Sequence, residues 1–315
     1  MDVSIIIVNY NTKDITRDCL NSIYEKTAGI EYEVFVSDNG STDGSVEMMR
    51  AEFPQVHLIE NKANLGFGAA NNRALDHAKG KYVFYLNSDT ILLNNAVKFF
   101  FDYFESHDDG HLGGLGCNLL DRNGQVQTSF SESKYVGWDQ TDKLLAKYRY
   151  MFLSSCKTAV LHFIFRRPLK RIEYTDSHTR MVGKVGNIIG ASLFIKNNDF
   201  ARFDEHYFMY CEDTDLELQL SNNGYEFYMI DGPEIVHLQG ASAEKIRYKI
   251  LDLADFSHCC NNLSAMYFIK KNKLASSFDR FRMKTLLLLF WLNPLVSKNT
   301  APFRKKLLKE WNSTY

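Results

Sequence analysis

Short apolar runs alternate with helical stretches along the first 120 residues. The predicted strands are residues 3–8, 33–37, 56–60 and 82–86, and the predicted helices are residues 15–24, 45–53 and 68–78. Because strands that alternate with helices of about ten residues form βαβ units, this order predicts an α/β fold around a mainly parallel central sheet flanked by helices. Polar loops follow the strands, at the sheet edge where such folds bind ligands.

The alternation stops between residues 121 and 180 and then returns. Residues 143–171 contain eight Lys and Arg and no Asp or Glu, interleaved with aromatic side chains. The later predicted elements are two strands and one helix, at residues 188–195, 226–230 and 212–222. We therefore predict one α/β domain over residues 1–240, with a basic and aromatic insertion at 121–180, followed by a helical C-terminal extension at 241–315.

The composition is that of an ordinary folded protein, with 45% hydrophobic and 24% charged residues among 315. A net charge of −1 gives no global field that would attract nucleic acid, so no nucleic-acid partner is predicted. The six cysteines form no CxxC pair, which fits a reducing cytoplasm better than a zinc site or a disulfide framework. Residues 3–8 predict a buried strand rather than a secretory signal, and no apolar run reaches the ~18–20 residues of a bilayer span.

The loop after the second predicted strand contains Asp38 within the sequence SDNGSTDGS. A carboxylate at this position can accept the N3–H of uracil or thymine, and it can also hold ribose hydroxyls. Asn-Gly and Asp-Gly are equally ordinary turn sequences, and Asp43 can cap the helix that follows. The loop alone leaves both interpretations open.

The fourth predicted strand ends in the sequence LNSDT, which places Asp89 among small polar residues. An acidic residue at a strand end suits Mg²⁺ or Mn²⁺ that bridges a diphosphate, whereas the alternative is an N-cap for the next helix. His237 follows the predicted strand 226–230 and can join Asp89, because imidazole and carboxylate together suit Mn²⁺. A lone histidine is more often an ordinary surface or core residue.

Glu212, Asp213 and Asp215 begin the predicted helix 212–222. The positive end of the helix dipole offsets part of the repulsion among three neighbouring carboxylates. Near a sugar acceptor, Glu212 or Asp213 can take the proton from the attacking hydroxyl, while Asp215 has a structural role. An acidic helix start without catalytic function is the alternative.

The order of these motifs resembles family-2 glycosyltransferases, and within them the bacterial rhamnosyltransferase-like branch. The stretches that carry the resemblance are VSIIIVNYN (3–11), SDNGSTDGS (37–45), NLGFGAANN (64–72), LNSDT (86–90), GASLFI (190–195), FDE (203–205), FMYCEDTDL (208–216) and His237. The resemblance implies a Rossmann-like GT-A fold and an inverting enzyme that uses Mn²⁺ or Mg²⁺. Such an enzyme moves a sugar from a UDP- or dTDP-sugar to a glycan or lipid-linked acceptor in bacterial surface polysaccharide synthesis.

The resemblance also implies a pocket for the nucleotide-sugar. Asp38 looks like the aspartate that binds the base. The other residues expected in this pocket are Asn9, Asn11, Asn64, Gly66, Asn71, Asn87 and Ser88. A glycine at position 66 fits this expectation because a residue without Cβ lets the backbone approach the diphosphate or the sugar closely.

The resemblance implies metal-binding and catalytic residues as well. Asp89 matches the last aspartate of the family's Asp-x-Asp metal motif, and His237 matches an additional metal ligand. Asp213 matches the catalytic base, and Glu212 its neighbour. Asn87 departs from the motif, because many members of the family have aspartate there, and one charge fewer weakens the predicted metal site.

The basic C-terminal part of the chain suggests a membrane surface as a partner. Residues 280–309 contain eight Lys and Arg and no acid, around the apolar run 286–292. This pattern predicts a helix that lies on an anionic membrane, at the cytoplasmic face of the inner membrane. A core helix with a solvated face is the alternative. Residues 143–171 can serve the same surface or bind the diphosphate of a lipid-linked acceptor.

A non-catalytic nucleotide-binding or scaffolding protein with the same fold is the main alternative in another functional class. Such a protein would keep Asp38 but need not keep Glu212, Asp213 or His237, all of which are present. A nucleotidyltransferase is disfavoured because no glycine-rich loop follows the first strand. A processive synthase is disfavoured because the sequence lacks membrane spans and a Gln-x-x-Arg-Trp motif.

Overall fold

The computed structural model describes residues 1–133, 141–163, 171–172, 179–238, 248–249 and 254–312. The chain divides into two compact units. The first unit comprises Met1–Val136, Asp176–Phe208 and Glu212–Lys245, and the second comprises Gly137–Thr175, Met209–Cys211 and Ile246–Tyr315.

An eight-stranded sheet lies at the centre of the first unit. Its strands, in spatial order, are β3 (His57–Glu60), β2 (Tyr32–Asp38), β1 (Val3–Asn9), β4 (Tyr82–Asn87), β11 (Ser192–Lys196), β6 (Leu112–Cys117), β12 (Glu226–Ile230) and β9 (Gly183–Val185). The strands from β3 to β4 are parallel, as are β6 and β12. β11 runs antiparallel to both of its neighbours, and β9 runs antiparallel to β12. The α/β class with a mainly parallel sheet is confirmed.

Helices cover both faces of this sheet. The helices on one face are α1 (Lys13–Lys26), α2 (Ser45–Glu52) and α4 (Ala96–His107), and those on the other face are α3 (Phe67–Leu75) and α6 (Glu212–Asn222). In β1, Val3, Ile5 and Ile7 belong to the first core, whereas Ile6 belongs to the second. Because successive side chains of a strand point to opposite faces, a run buried on both sides is mostly apolar, as residues 5–8 are.

The strand register brings three polar strand ends to one edge of the sheet. Asn9 is the partner of Asp38 in the β1–β2 pair, and Val8 is the partner of Asn87 in the β1–β4 pair. Parallel strands present their carboxyl ends at the same edge, so the loops after β1, β2 and β4 lie next to one another.

Two short antiparallel ladders also belong to the first unit. They join β5 (Thr90–Leu92) to β13 (Ile235–His237), and β7 (Phe130–Ser131) to β10 (Asn187–Ile188). Thr90 is the direct partner of His237 in the first ladder. The backbone therefore places His237 beside the chain that leaves β4.

The prediction of one strand over residues 188–195 is corrected by the structure. β10 ends at Ile188 and β11 begins at Ser192, with a turn between them. In this turn the Gly190 N–H donates to Asp213 Oδ2 (3.0 Å), a side chain of α6, and the Ser192 N–H donates back to the Ile189 carbonyl (3.4 Å), so the ladder is interrupted at Gly190. The apolar pattern of the sequence does not predict β6, because three of the six residues in this strand are glycines, which have a low strand propensity.

The second unit is built mainly from helices. Its elements are α5 (Thr141–Phe163), α7 (Phe256–Lys271), α8 (Ser277–Trp291) and α9 (Ser297–Asn312), with β8 (Arg171–Ile172) paired to β14 (Tyr248–Lys249). Leu287, Phe290 and Trp291 are fully buried in its core, so part of the apolar run 286–292 packs inside the protein. Residues 164–170 of the basic segment lie outside the described residues. Within the described ranges, no helix is both long enough and apolar enough to cross a bilayer.

Candidate functional site

Asn9 and Asp38 form a buried pair at the ends of β1 and β2. Asn9 Nδ2 donates to Asp38 Oδ2 (2.6 Å), and Asp38 Oδ1 accepts the N–H groups of Gly40 (3.0 Å) and Ser41 (2.8 Å). The Asp38 residue is only 1% exposed. Its carboxylate therefore fixes the backbone of the loop after β2, and its direct contact with a nucleotide base stays a prediction.

Asn39 joins this loop to the loop before α3. Its Nδ2 donates to the Gly66 carbonyl (3.1 Å) and to Asn64 Oδ1 (3.3 Å), and its Oδ1 accepts from Asn61 Nδ2 (3.2 Å). Asn39 could not be predicted as a site residue, because asparagine before glycine is typical of any turn. Its position directly after a buried strand, next to Asp38, was the only available signal.

Asn64 and Gly66 form the turn that begins α3. The Gly66 N–H donates to Asn64 Oδ1 (3.0 Å), and the glycine has φ of +91°. A Cβ at this position would lie 2.2 Å from the Phe208 carbonyl oxygen, which accepts the Phe67 N–H (3.0 Å). This close approach connects the turn to the segment that precedes α6, and it requires glycine.

Replacing Gly66 with Ala is expected to lower the free energy of unfolding by about 2–4 kcal/mol, because a positive φ and a backbone clash add to each other. Chemical denaturation of both proteins measures the loss. The control is Gly224→Ala, since Gly224 has φ of +88° but open space around it. An equal loss of unfolding free energy in the two variants would show that the close approach to Phe208 does not contribute to the cost of the Gly66 substitution.

The other predicted pocket residues have different surroundings. Asn11 is exposed, with φ of 54°, and its side-chain oxygen accepts an N–H of the loop after β2 (2.8 Å). Asn71 is buried within α3, where its Nδ2 donates to the Phe67 carbonyl (3.1 Å). Ser88 Oγ lies 3.5 Å from Thr12 Oγ1. The contacts of these residues with a nucleotide-sugar stay predictions.

Asp89 and His237 meet just beyond β4. His237 Nε2 lies 3.4 Å from Asp89 Oδ1, and the Leu238 N–H donates to the Asp89 carbonyl (2.8 Å). A carboxylate and an imidazole at one point fit an ion such as Mn²⁺. The described residues contain no group of three or more His, Cys, Asp or Glu side chains suited to a metal. An ion held by this pair would therefore need substrate or water oxygens to complete its coordination.

Asp213 lies in the first turn of α6, with its carboxylate held on two sides. Its Oδ2 accepts the Gly190 N–H (3.0 Å), and its Oδ1 accepts the Thr214 N–H (2.7 Å). Burial raises the pKa of Asp213. Burial, and then the charge of Asp213, raises the pKa of Glu212 well above its usual range. Carboxyl groups that hold a proton more strongly than usual suit a general base.

The backbone just before α6 is strained. Tyr210 and Cys211 have φ of 72° and 66°, in the left-handed region that residues with a side chain rarely adopt. Strain of this kind persists only where the surrounding structure imposes it, and it concentrates at functional sites. It falls directly before Glu212 and Asp213 in the chain.

A chain of contacts connects Asp213 to the end of β4. Gly190, which binds Asp213, is followed by Ala191, whose carbonyl accepts the Asn87 N–H (3.0 Å). Ser88, which follows Asn87, contacts Thr12 through their hydroxyl groups. Thr12 donates to Asn9 at the end of β1, and Asn9 donates to Asp38 at the end of β2. These contacts link the chain segments that carry Asp38, Asp89 and Asp213, and His237 contacts Asp89. The convergence of the four side chains on one substrate site stays a prediction.

Comparison with known proteins identifies the family. The family model described as Glycosyl transferase family 2 matches residues 4–169, which is more than half of the chain. The chain belongs to this family. The family and branch inferred from the motif order are confirmed by this match, together with the similarity to a rhamnosyltransferase described next.

Two relatives of this family-2 chain show how far the similarity extends. An uncharacterized glycosyltransferase of Methanocaldococcus jannaschii is 26% identical over 183 residues, which cover 56% of this chain and 60% of the relative. The N-acetylglucosaminyl-diphospho-decaprenol L-rhamnosyltransferase of Mycobacterium tuberculosis is 26% identical over 216 residues, which cover 65% and 66%. The chain thus spans less than two thirds of the length of either relative.

A solved structure shows the same fold. The mannosyltransferase from Pyrobaculum calidifontis, in complex with GDP-Man and Mn²⁺, matches 99% of this family-2 chain and 76% of its own. The TM-score is 0.53 at 15% sequence identity. Likeness at this identity concerns the fold alone, and it confirms the GT-A fold predicted from the sequence.

Proposed function

We propose that this family-2 chain is an inverting glycosyltransferase. It would move a sugar from a UDP- or dTDP-sugar to a hydroxyl of a glycan or lipid-linked acceptor in bacterial surface polysaccharide synthesis. The observation that carries the proposal is that the Gly190–Ala191 backbone bonds both Asp213 and Asn87, and that Asp89, two residues after Asn87, contacts His237. A general base and a pair of metal-binding side chains near one strand end suit the displacement of a nucleoside diphosphate.

In this proposal Asp213 is the general base. The acceptor hydroxyl passes its proton to Asp213 while its oxygen attacks the anomeric carbon. The bond from that carbon to the nucleoside diphosphate breaks on the opposite face, and its electron pair leaves with the diphosphate. One displacement of this kind inverts the anomeric configuration without a covalent glycosyl-enzyme. The Gly190 N–H keeps the carboxylate in place during the proton transfer.

We assign the metal site to Asp89 and His237, which would hold Mn²⁺ or Mg²⁺. When bound, the ion neutralises charge on the departing diphosphate, an effect worth several kcal/mol. The neighbouring Asn87 brings an amide instead of a second carboxylate. We therefore expect the diphosphate itself to contribute strongly to metal affinity.

A panel of nucleotide-sugars tests the proposed function. The protein is incubated with UDP- and dTDP-sugars, with glycan or lipid-linked acceptors, and with either Mn²⁺ or EDTA. We expect Mn²⁺-dependent release of UDP or dTDP with at least one donor. Nucleotide binding without turnover across the whole panel would contradict the proposal and favour the non-catalytic alternative.

We further propose that the acceptor is lipid-linked and that the protein works at the cytoplasmic face of an anionic membrane. α8 and its C-cap expose a stripe of apolar side chains at helical spacing, Phe278 (68% exposed), Phe281 (55%), Leu289 (42%) and the C-cap Leu292 (57%). Residues 254–312 contain eleven Lys and Arg against three Asp and Glu. Each basic residue near an anionic surface contributes about 1 kcal/mol. Apolar contact and positive charge together favour a lipid surface as the occupant of this stripe.

The double variant Phe278→Ser/Phe281→Ser is expected to weaken binding to phosphatidylglycerol vesicles about tenfold or more, because both rings lose their apolar contact. Cosedimentation measures the change. The control Leu93→Ser/Phe99→Ser removes two exposed apolar side chains (44% and 45%) from the other unit. Equal binding by wild type and the α8 variant would contradict the membrane proposal.

A further inference from the structure

Glu217 is a buried carboxyl group in the middle of α6 that the proposed mechanism does not use. It is 0% exposed, and it lies one helical turn after Asp213. Residues four apart share one face of a helix. No ion pair with Glu217 occurs among the described residues, and its Oε1 has no hydrogen-bond partner there. Burying such a group is costly, so its local contacts need an explanation.

The contacts of Glu217 lead to the segment that holds Asp213. Glu217 Oε2 accepts the Ile188 N–H (2.7 Å) and Asn187 Nδ2 (2.9 Å). One turn earlier on the same helix face, Asp213 Oδ2 accepts the Gly190 N–H (3.0 Å). The two carboxyl groups of α6 therefore hold both ends of the segment 187–190.

This segment leaves little freedom for the Asp213 carboxylate. A Cβ on Gly190 would lie 2.9 Å from Asp213 Oδ2 and 3.0 Å from its Cβ, so the backbone of Gly190 packs directly against the side chain. A shift of the segment would move the N–H that orients Asp213. Misplacement of a reacting group by about 1 Å can reduce a rate by about 100-fold.

We propose that Glu217 is a positioning residue for glycosyl transfer, which fixes segment 187–190 and through Gly190 orients the Asp213 carboxylate toward the acceptor hydroxyl. This inference rests on the proposed function. Glu217 touches no reacting atom, and its hydrogen bonds act on the reaction through the segment 187–190. The Asn187 and Ile188 donors need an acceptor oxygen, which either a carboxylate or a neutral carboxyl group supplies.

The protonation of Glu217 is compatible with this role. Burial raises its pKa well above the usual range, and the nearby charge of Asp213 raises it further, whereas the Ile188 and Asn187 bonds act in the opposite direction. A neutral Glu217 still accepts both hydrogen bonds, and it adds no second negative charge beside the base.

Two substitutions at position 217 separate an acceptor role from a merely structural one. Glu217→Gln keeps an acceptor oxygen, whereas Glu217→Leu has a similar volume and no acceptor. With the best donor of the panel, we expect Gln to keep kcat within about threefold of wild type and Leu to lower kcat about 10- to 100-fold. The KM for the donor should stay within about threefold in both, because the donor pocket is unchanged.

The control is Gln219→Leu, which removes a polar side chain from the same helix, where its Nε2 donates to Asp215 Oδ2 (2.8 Å) and not to segment 187–190. Its kcat should match wild type. If Glu217→Leu fails to fold by circular dichroism, Asn187→Ala applies the same test, because it removes one of the two donors and should lower kcat by a smaller factor. Wild-type kcat in the folded Leu or Ala variant would overturn the inference, as would an equal loss of kcat in Gln and Leu.

The outcome also distinguishes this inference from the proposed function. A wild-type protein without transfer in the whole panel overturns both. An active wild type with an equally active, folded Glu217→Leu variant overturns only the positioning role of Glu217.

Discussion

Replacing Asp213 with Asn is expected to lower sugar transfer by about 10³-fold or more, because the amide cannot take the acceptor proton. The affinity for the nucleotide should stay close to that of wild type, since the predicted nucleotide pocket lies on α3 and at the ends of β1, β2 and β4 and does not include Asp213. Steady-state transfer assays and nucleotide titration by calorimetry measure the two effects. Asn keeps the shape of the side chain and an oxygen that can accept the Gly190 N–H.

Asp215→Asn is the matched control, because Asp215 lies on the same helix and its carboxylate accepts from the Tyr207 hydroxyl (3.1 Å) and Gln219 Nε2 (2.8 Å). Its kcat should change far less than that of Asp213→Asn. Normal turnover by Asp213→Asn would show that another group is the base.

The raised pKa of Asp213 also has a consequence for the pH profile of wild type. Transfer needs the deprotonated carboxylate, so activity should increase as pH rises through the raised pKa. The apparent pKa of the acidic limb in the pH profile of kcat/KM should therefore be higher than 3.8, the ordinary pKa of aspartate. Because Glu212 and Glu217 are buried nearby, the observed limb belongs to the group of carboxyls rather than to one of them.

Replacing Asp89 with Asn is expected to reduce Mn²⁺-dependent transfer about 100-fold, which corresponds to about 3 kcal/mol of lost transition-state stabilisation. The apparent Mn²⁺ affinity should fall as well, because the substitution removes the carboxylate and leaves the His237 imidazole as the remaining ligand of the pair. Transfer assays over a range of Mn²⁺ concentrations measure both quantities.

Asp231→Asn serves as the control for this change, because Asp231 is a surface aspartate that pairs with Arg180 (3.0 Å) and is not a member of the β5–β13 ladder. Its activity and Mn²⁺ dependence should equal those of wild type. If wild type transfers sugar as fast in EDTA as in Mn²⁺, the assignment of Asp89 and His237 to a metal site is wrong.

The polar loops at the strand ends were predictable from the sequence, whereas their mutual contacts were not. The loop with Asp38 follows a buried apolar strand, and Asp89 follows another, so the α/β pattern alone places both at the ligand-binding edge. Asn39 resembles a turn residue in the sequence, yet it bonds Asn64 and Gly66 across two loops. Glu217 resembles a polar position of an amphipathic helix, yet it is fully buried.

The α/β order, the polar strand ends and the family could be inferred from the amino-acid sequence, because apolar runs, turn residues and motif order are local properties of the chain. The tertiary structure alone decided that β11 enters the sheet antiparallel, that Gly190 turns toward Asp213, and that His237 stands beside Asp89. Each of these features joins residues far apart in the chain. Their pairing depends on strand register and on which backbone groups find a partner when buried, and no local pattern of side chains encodes that choice.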